Sequence, residues 1–259
     1  MSLFFNFPTW MVAAVFGVLL LLATELGFRL GKATARRENA DAKSAGGVAK
    51  NAVLALAGLV LAFSYAMAAG RYDLRNQVLL REANGLGTCW LRTDFLPEAP
   101  RERSRVIMRE FVDTRLRLFD TALEPGRYAA ENKELDRLGS ELWRLVSDEF
   151  NKAEQPFKLA LLVAAVNEVI DANGARAAAI HNRVPPPVTM LLLMCVTFSL
   201  FLTGHSSGMA GHRQWLLWCV MIILMVAVFT LAEDLDRPRR GLIQLNHAPL
   251  IELRASMGQ

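Results

Sequence analysis

Apolar and charged stretches follow one another along this chain in blocks. Residues 4–24 carry no charge, and the run closes at Glu25. A second apolar run covers residues 52–70. A third follows Pro185, Pro186 and Pro187 and reaches about Gly204, and a fourth spans 214–232 before Glu233 and Asp234. Each approaches the roughly 20 apolar residues that a helix needs to cross roughly 30 Å of hydrocarbon. The first run has neither the basic leader nor the small-residue cleavage site of a signal peptide, so it reads as a permanent span. Trp10, Trp215 and Trp218 fall near the ends of these runs, where amphipathic rings sit at headgroup level.

Between the second and third runs, the pattern changes to helical spacing with charged faces. Met108, Phe111, Val112, Leu116 and Phe119 recur three and four apart, as do Leu135, Leu138, Leu142 and Leu145. Pro97, Pro100, Pro125 and Pro156 punctuate this insert. They predict helices near 71–96, 101–123, 128–152 and 157–183. No segment alternates as a strand does.

The junction "AMAAGRYDLRNQ", residues 66–77, passes from apolar to charged with only Gly70 as a weak point. One glycine costs a helix about 1 kcal/mol and does not normally end it. Beyond the junction, Leu79, Ala83, Leu86 and Trp90 form an apolar stripe. Gln77, Arg81, Asn84, Thr88 and Arg92 form a polar one on another face. The second span is therefore expected to run on as one helix into the insert, by about 39 Å for 26 residues.

These elements predict an all-α membrane protein of four transmembrane helices with a long helical insert between spans 2 and 3. Its segments are 1–70 (spans 1 and 2 with a basic linker), 71–184 (helical extramembrane part), 185–232 (spans 3 and 4) and 233–259 (tail). An even number of spans places both termini and the insert on one side. The linker 31–50 and the turn "HSSGMAGHR" then lie on the other. Basic residues crowd both sides: Arg29, Lys32, Arg36, Arg37, Lys43 and Lys50 on one, and Arg71, Arg75, Arg183, Arg237, Arg239 and Arg240 on the other. Charge alone leaves the side of the insert unresolved.

Composition fits this mixed class, with 53% hydrophobic and 21% charged residues among 259. A formal charge of +4 without a run of five or six like charges makes nucleic acid a poor match as a partner. Cys89, Cys195 and Cys219 form no CxxC pair, and His181, His205, His212 and His247 are scattered. No HExxH, P-loop or GxSxG occurs, and "GLGTCW" follows no strand. Neither an enzyme nor a metal or cofactor site is expected.

A polar face that continues beyond the membrane suits the wall of a water-filled path, and it equally suits plain solvation. Its candidate lining residues are Ser64, Arg71, Asp73, Arg75, Gln77, Arg81 and Asn84. Arg71, Arg75 and Arg81 favour anions there, whereas Glu25, Asp73 and Glu82 favour cations. Glu25 stands four residues before Arg29, as an interface pair or as a functional carboxylate. Glu168 and Asp171 share a helix face. They fit either a cation at a pore mouth or ion pairs to Arg71, Arg75 or Arg81. After the last span, Asp236, Arg237, Arg239 and Arg240 are placed to meet lipid headgroups or to line a vestibule.

Three segments carry a resemblance: "GRYDLRNQVLLREANGLGTCWLRTDFLPE", "NEVIDANGARAAAIHNRVPPP" and "LDRPRRGLIQL". With the order of spans, they resemble the bestrophin-like family, small four-span membrane proteins of bacteria. The resemblance implies a homo-oligomeric ion channel, pentameric as bestrophins are. It would sit in the bacterial cytoplasmic (inner) membrane, with lipid and inorganic ions as partners. It also implies a pore lined by the second membrane helix, here residues 54–75, and a lean toward anions. A cation-selective channel of the same architecture, and a non-conducting scaffold whose insert binds a partner protein, stay open beside it. Bestrophins narrow the pore with closely spaced aromatic residues, where this chain offers Phe63 and Tyr65, and they hold the insert in the cytoplasm.

Overall fold

The computed structural model of the chain describes residues 7–35, 40–120, 124–154, 156–237 and 243–258, and all its regular elements are helices. In chain order they are α1 (Thr9–Thr34), α2 (Ala40–Arg92), α3 (Glu98–Asp120), α4 (Pro125–Lys152), α5 (Phe157–His181), α6 (Pro186–Met209), α7 (Trp215–Asp236) and α8 (Ala248–Ser256). A 3-10 turn, Thr93–Phe95, separates α2 from α3. Four described stretches are long and apolar enough to cross a membrane: α1, part of α2, α7 and a stretch that holds α6.

Helix α2 runs 53 residues without interruption through Gly70. Its beginning differs from the expected linker: residues from Ala40 onward are already helical, because Ala, Lys and Ser there carry no breaker stronger than Gly46 and Gly47. Prolines mark other boundaries. Pro125 and Pro186 occupy the first helical turns of α4 and α6, where the missing N–H is no loss, so α4 starts before residue 128. Pro100 likewise falls within the first turn of α3. Helix α8, in the tail, is not foreshadowed by any apolar period.

The chain divides into two compact units, residues 1–72 with 183–244, and residues 73–182 with 245–259. In the first, Val12, Phe16, Leu20, Ala57, Leu61, Val196, Leu200 and Phe229 form the core. The rings of Phe16 and Phe229 are 4.5 Å apart. Outward, α1, α6 and α7 present large apolar side chains, among them Leu22 at 63% exposure, Phe198 at 56% and Leu216 at 81%. Such faces suit hydrocarbon.

Helices α1 and α6 meet backbone to backbone. Gly27 and Gly31 on α1 face Gly204 and Gly208 on α6. A β-carbon on Gly27 would overlap the Phe201 carbonyl, and one on Gly204 the Thr24 carbonyl. Two interlocked Gly-xxx-Gly pairs thus bring the helices to contact distance, the arrangement that gains most where water supplies no driving force. Beside them, Trp218 donates its indole N–H to Ser207 Oγ at 3.3 Å and packs edge-on to Phe28.

The end of α7 ties three other segments. Thr9 Oγ1 donates to Asp234 Oδ1 at 3.3 Å, and the Ile243 amide donates to Oδ2 at 2.9 Å. The Val184 amide donates to Asp236 Oδ1 at 3.0 Å, while Arg237 Nη1 donates to the Phe7 carbonyl at 3.0 Å. Asp236 and Arg237 are 4% and 3% exposed. They are internal clamps and not the headgroup anchors their position suggested; Arg239 and Arg240 lie outside the described residues.

The second unit packs α3, α4, α5, α8 and the C-terminal part of α2 around Leu79, Leu86, Met108, Phe111, Val112, Leu135, Leu138, Leu142, Leu162 and Val166. Most of the expected apolar stripes are core, while Phe119 is 36% exposed and stacks on His247 at 3.9 Å. Helix α8 docks through Leu250 and Met257, both fully buried. Arg254 bonds both oxygens of Asp113 at 2.6 and 3.0 Å. That carboxylate pushes the Arg254 guanidinium still higher in pKa.

Candidate functional site

The exposed residues of α2 form one face at helical spacing. Within the first unit it carries Ala55, Gly58, Ala62 and Ala66 interleaved with the larger Leu56, Leu59, Phe63 and Tyr65, all exposed. A β-carbon at Gly58 or Gly70 would meet nothing within 4 Å. Within the second unit the same period continues through exposed Asp73, Gln77, Arg81 and Asn84. The opposite side, with Ala57, Leu61, Ala68, Leu79 and Leu86, is core. This face therefore mixes small and large apolar side chains along the apolar stretch and is polar beyond it.

Three expected lining residues are turned away from it. Ser64 is 4% exposed and donates to the Val60 carbonyl of its own helix at 2.8 Å. Arg75 is 3% exposed, and its Nε and Nη2 donate to the carbonyls of Ala179 and Asn182 at 3.2 Å each. These carbonyls belong to the end of α5, where helical acceptors lack partners, so Arg75 is a helix cap. Arg71 is half-buried and bends back to the Met67 carbonyl at 3.1 Å. Glu82, too, is core, at 1% exposure. Arg75→Gln should destabilise the protein by about 1.5–3 kcal/mol, the range for hydrogen bonds to charged groups, in thermal unfolding. An unchanged stability would return Arg75 to the list of candidate lining residues.

The acids of α5 stand close to the α2 face. Glu168 and Asp171 are exposed. A β-carbon at Gly85 of α2 would stand 3.5 Å from Glu168 Cγ. Neither forms an ion pair with Arg71, Arg75 or Arg81 among the described residues. Glu25 does find partners: Arg29 Nε at 2.9 Å and Arg213 Nη2 at 2.8 Å, with Arg213 lying 4.4 Å over the Phe28 ring. The pair with Arg29 is the one the sequence suggested, and Arg213, from the turn before α7, is the partner not foreseen.

A family model, the bestrophin-like domain, matches residues 14–250. The chain belongs to the bestrophin-like family. Among curated proteins nothing matches. Solved structures of similar fold include variants of a bacterial bestrophin homolog from Klebsiella pneumoniae. One aligns with TM-score 0.65 and 14% identity, covering 96% of this chain and 97% of the other. A second aligns with TM-score 0.61 and 16% identity, covering 93% and 95%. A structure described as a membrane protein aligns at 0.63 and 15%, covering 93% and 94%. At such identity the likeness establishes the fold. It extends over nearly the full length of this bestrophin-like chain.

Sequence reading missed three features of the bestrophin-like chain. The paired Gly-xxx-Gly motifs were visible as spacing inside apolar runs. The α7 clamp and a buried centre around Glu82 were not, because both depend on which distant segments meet.

Proposed function

We propose that this protein is an oligomeric membrane ion channel whose water-filled path is lined by the exposed face of α2. The observation that carries the reading is the exposed polar row Asp73, Gln77, Arg81 and Asn84 on the same helix that supplies the second apolar span. Repeated about a symmetry axis, each position becomes a ring. Family membership supports the reading, and likeness to bestrophins favours a pentamer in the bacterial cytoplasmic membrane.

Selectivity in this reading follows from the charges left exposed. Arg75 caps α5 and Arg71 bends back, so two of the three arginines leave the path, as do Glu82, in the core, and Glu25, in its ion pairs. Arg81 remains, against Asp73 and the nearby Glu168 and Asp171. The balance favours cations.

Purified protein in liposomes under a potassium chloride gradient should conduct with a reversal potential toward that of potassium. Asp73→Asn with Glu168→Gln and Asp171→Asn should move it toward zero or past it, and Arg81→Gln should move it the other way. Flux no greater than in empty liposomes, or a strictly monomeric particle, would sink the channel reading. A chloride-like potential unaltered by these variants would sink only the selectivity.

A further inference from the structure

Four helices of the second unit meet at a buried polar centre. Glu82 comes from α2, Arg115 from α3, Asn132 from α4, and Asn173 with Arg176 from α5. Glu82, Arg115 and Arg176 are 1%, 6% and 4% exposed. Arg115 Nε donates to both oxygens of Glu82, at 2.8 and 3.0 Å. Arg176 arrives second. Its Nε is 4.0 Å from Glu82 Oε1, beyond hydrogen-bonding distance. Its Nη2 donates to Asn132 Oδ1 and Asn173 Oδ1, both at 2.8 Å. Tyr128 is a further hydrogen-bonding neighbour of the guanidinium. Among the described residues, none offers the buried Nε and Nη1 of Arg176 an acceptor in hydrogen-bonding geometry.

Two guanidinium groups thus share one carboxylate, an excess of one positive charge. Asp136 is exposed and accepts from the Asn173 amide at 3.1 Å. Arg is almost never buried unless paired, and an unsatisfied buried donor normally holds a water or an ion. Water would occupy the free N–H groups but leave the charge uncompensated. A small anion satisfies both needs, and charge-assisted hydrogen bonds are the stronger kind.

We infer that this centre binds a small monovalent inorganic anion of the chloride type on the unused N–H groups of Arg176. The inference does not depend on whether the chain conducts ions. Because the centre joins α2 to α3, α4 and α5, occupancy would hold the helix whose exposed face is the candidate path.

Full-length protein in detergent, with sodium chloride exchanged for sodium gluconate at constant ionic strength, provides the test. Chloride should raise the melting temperature with the logarithm of its concentration above the dissociation constant, by roughly 5 °C at a hundredfold excess, and bromide should replace it. Arg176→Gln should remove this dependence. Glu82→Gln, which increases the excess charge, should lower the half-saturating concentration severalfold, opposite to what simple damage would do. Equal melting in chloride and gluconate, or a chloride effect that survives Arg176→Gln, would overturn the inference. Should Arg176→Gln fail to fold, wild-type crystals grown in sodium bromide decide. An anomalous peak within hydrogen-bonding distance of Arg176 supports the anion, and an ordered water without anomalous signal there refutes it.

Discussion

Gly204→Ala should lower stability by at least the upper part of the about 1–3 kcal/mol range for overpacked cores. A single methyl has this effect because of what it would meet. The added carbon would overlap the carbonyl oxygen and carbon of Thr24, with the Phe28 amide close behind. These are backbone atoms, and no rotamer change moves them aside. Relief requires α1 and α6 to separate, and the helices are held there by four glycines whose neighbours are all backbone: Phe201 and His205 opposite Gly27 and Gly31, Thr24, Phe28 and Lys32 opposite Gly204 and Gly208. Parting them also costs the contacts of Phe28 with Trp218. Gly58→Ala is the control. Its added methyl meets nothing, and trading glycine for alanine in a helix should be neutral or stabilising by about 1 kcal/mol. Thermal unfolding in one detergent would compare the two. Equal melting temperatures for Gly204→Ala and Gly58→Ala would mean that the glycine contact does not hold the helices.

The contrast between these glycines shows where sequence reading stops. Hydropathy finds the spans because the cost of burying charge in lipid acts on every residue of a run, so a local sum suffices. The continuation of α2 through Gly70 was legible for the same reason: stripes at helical spacing lie on both sides of it, and one glycine is too small a penalty to break them. Gly58 and Gly204 look alike by that measure. What separates them is the partner helix, which no local sum contains. The candidate path shows the same limit. Asp73, Gln77, Arg81 and Asn84 are exposed, as a polar stripe predicts. Arg75 lies off that stripe by its own period, yet its charge drew it into the list. Its use as a cap depends on where α5 ends, a hundred residues later in the chain. Glu82, likewise, reads as a solvated acid until Arg115 and Arg176 are brought to it from two other helices.

Glu82 leads to the second large effect: Arg115→Met should cost about 3–5 kcal/mol, the range for removing one partner of a buried ion pair. The Glu82 carboxylate is 1% exposed and takes both its short hydrogen bonds from Arg115 Nε. Without them, its nearest cation is Arg176 Nε at 4.0 Å, and water cannot replace what was lost without opening the packing of α2 on α3. Methionine matches the arginine stem in length and leaves little cavity, so the loss measures the unpaired charge and not missing volume. The partner experiment is Glu82→Leu with Arg115→Met together. Replacing both members by apolar groups of similar volume can be neutral or better, because the desolvation of two ions disappears along with their attraction. The double variant should therefore recover most of the loss, with a coupling of at least about 2 kcal/mol in a double-mutant cycle. Arg176 limits that recovery, since it would then stand in the core with no carboxylate at all. Incomplete recovery that becomes complete on adding Arg176→Met would assign the remainder to it. A double variant no more stable than Arg115→Met alone would show that the pair holds α2 by shape and not by charge.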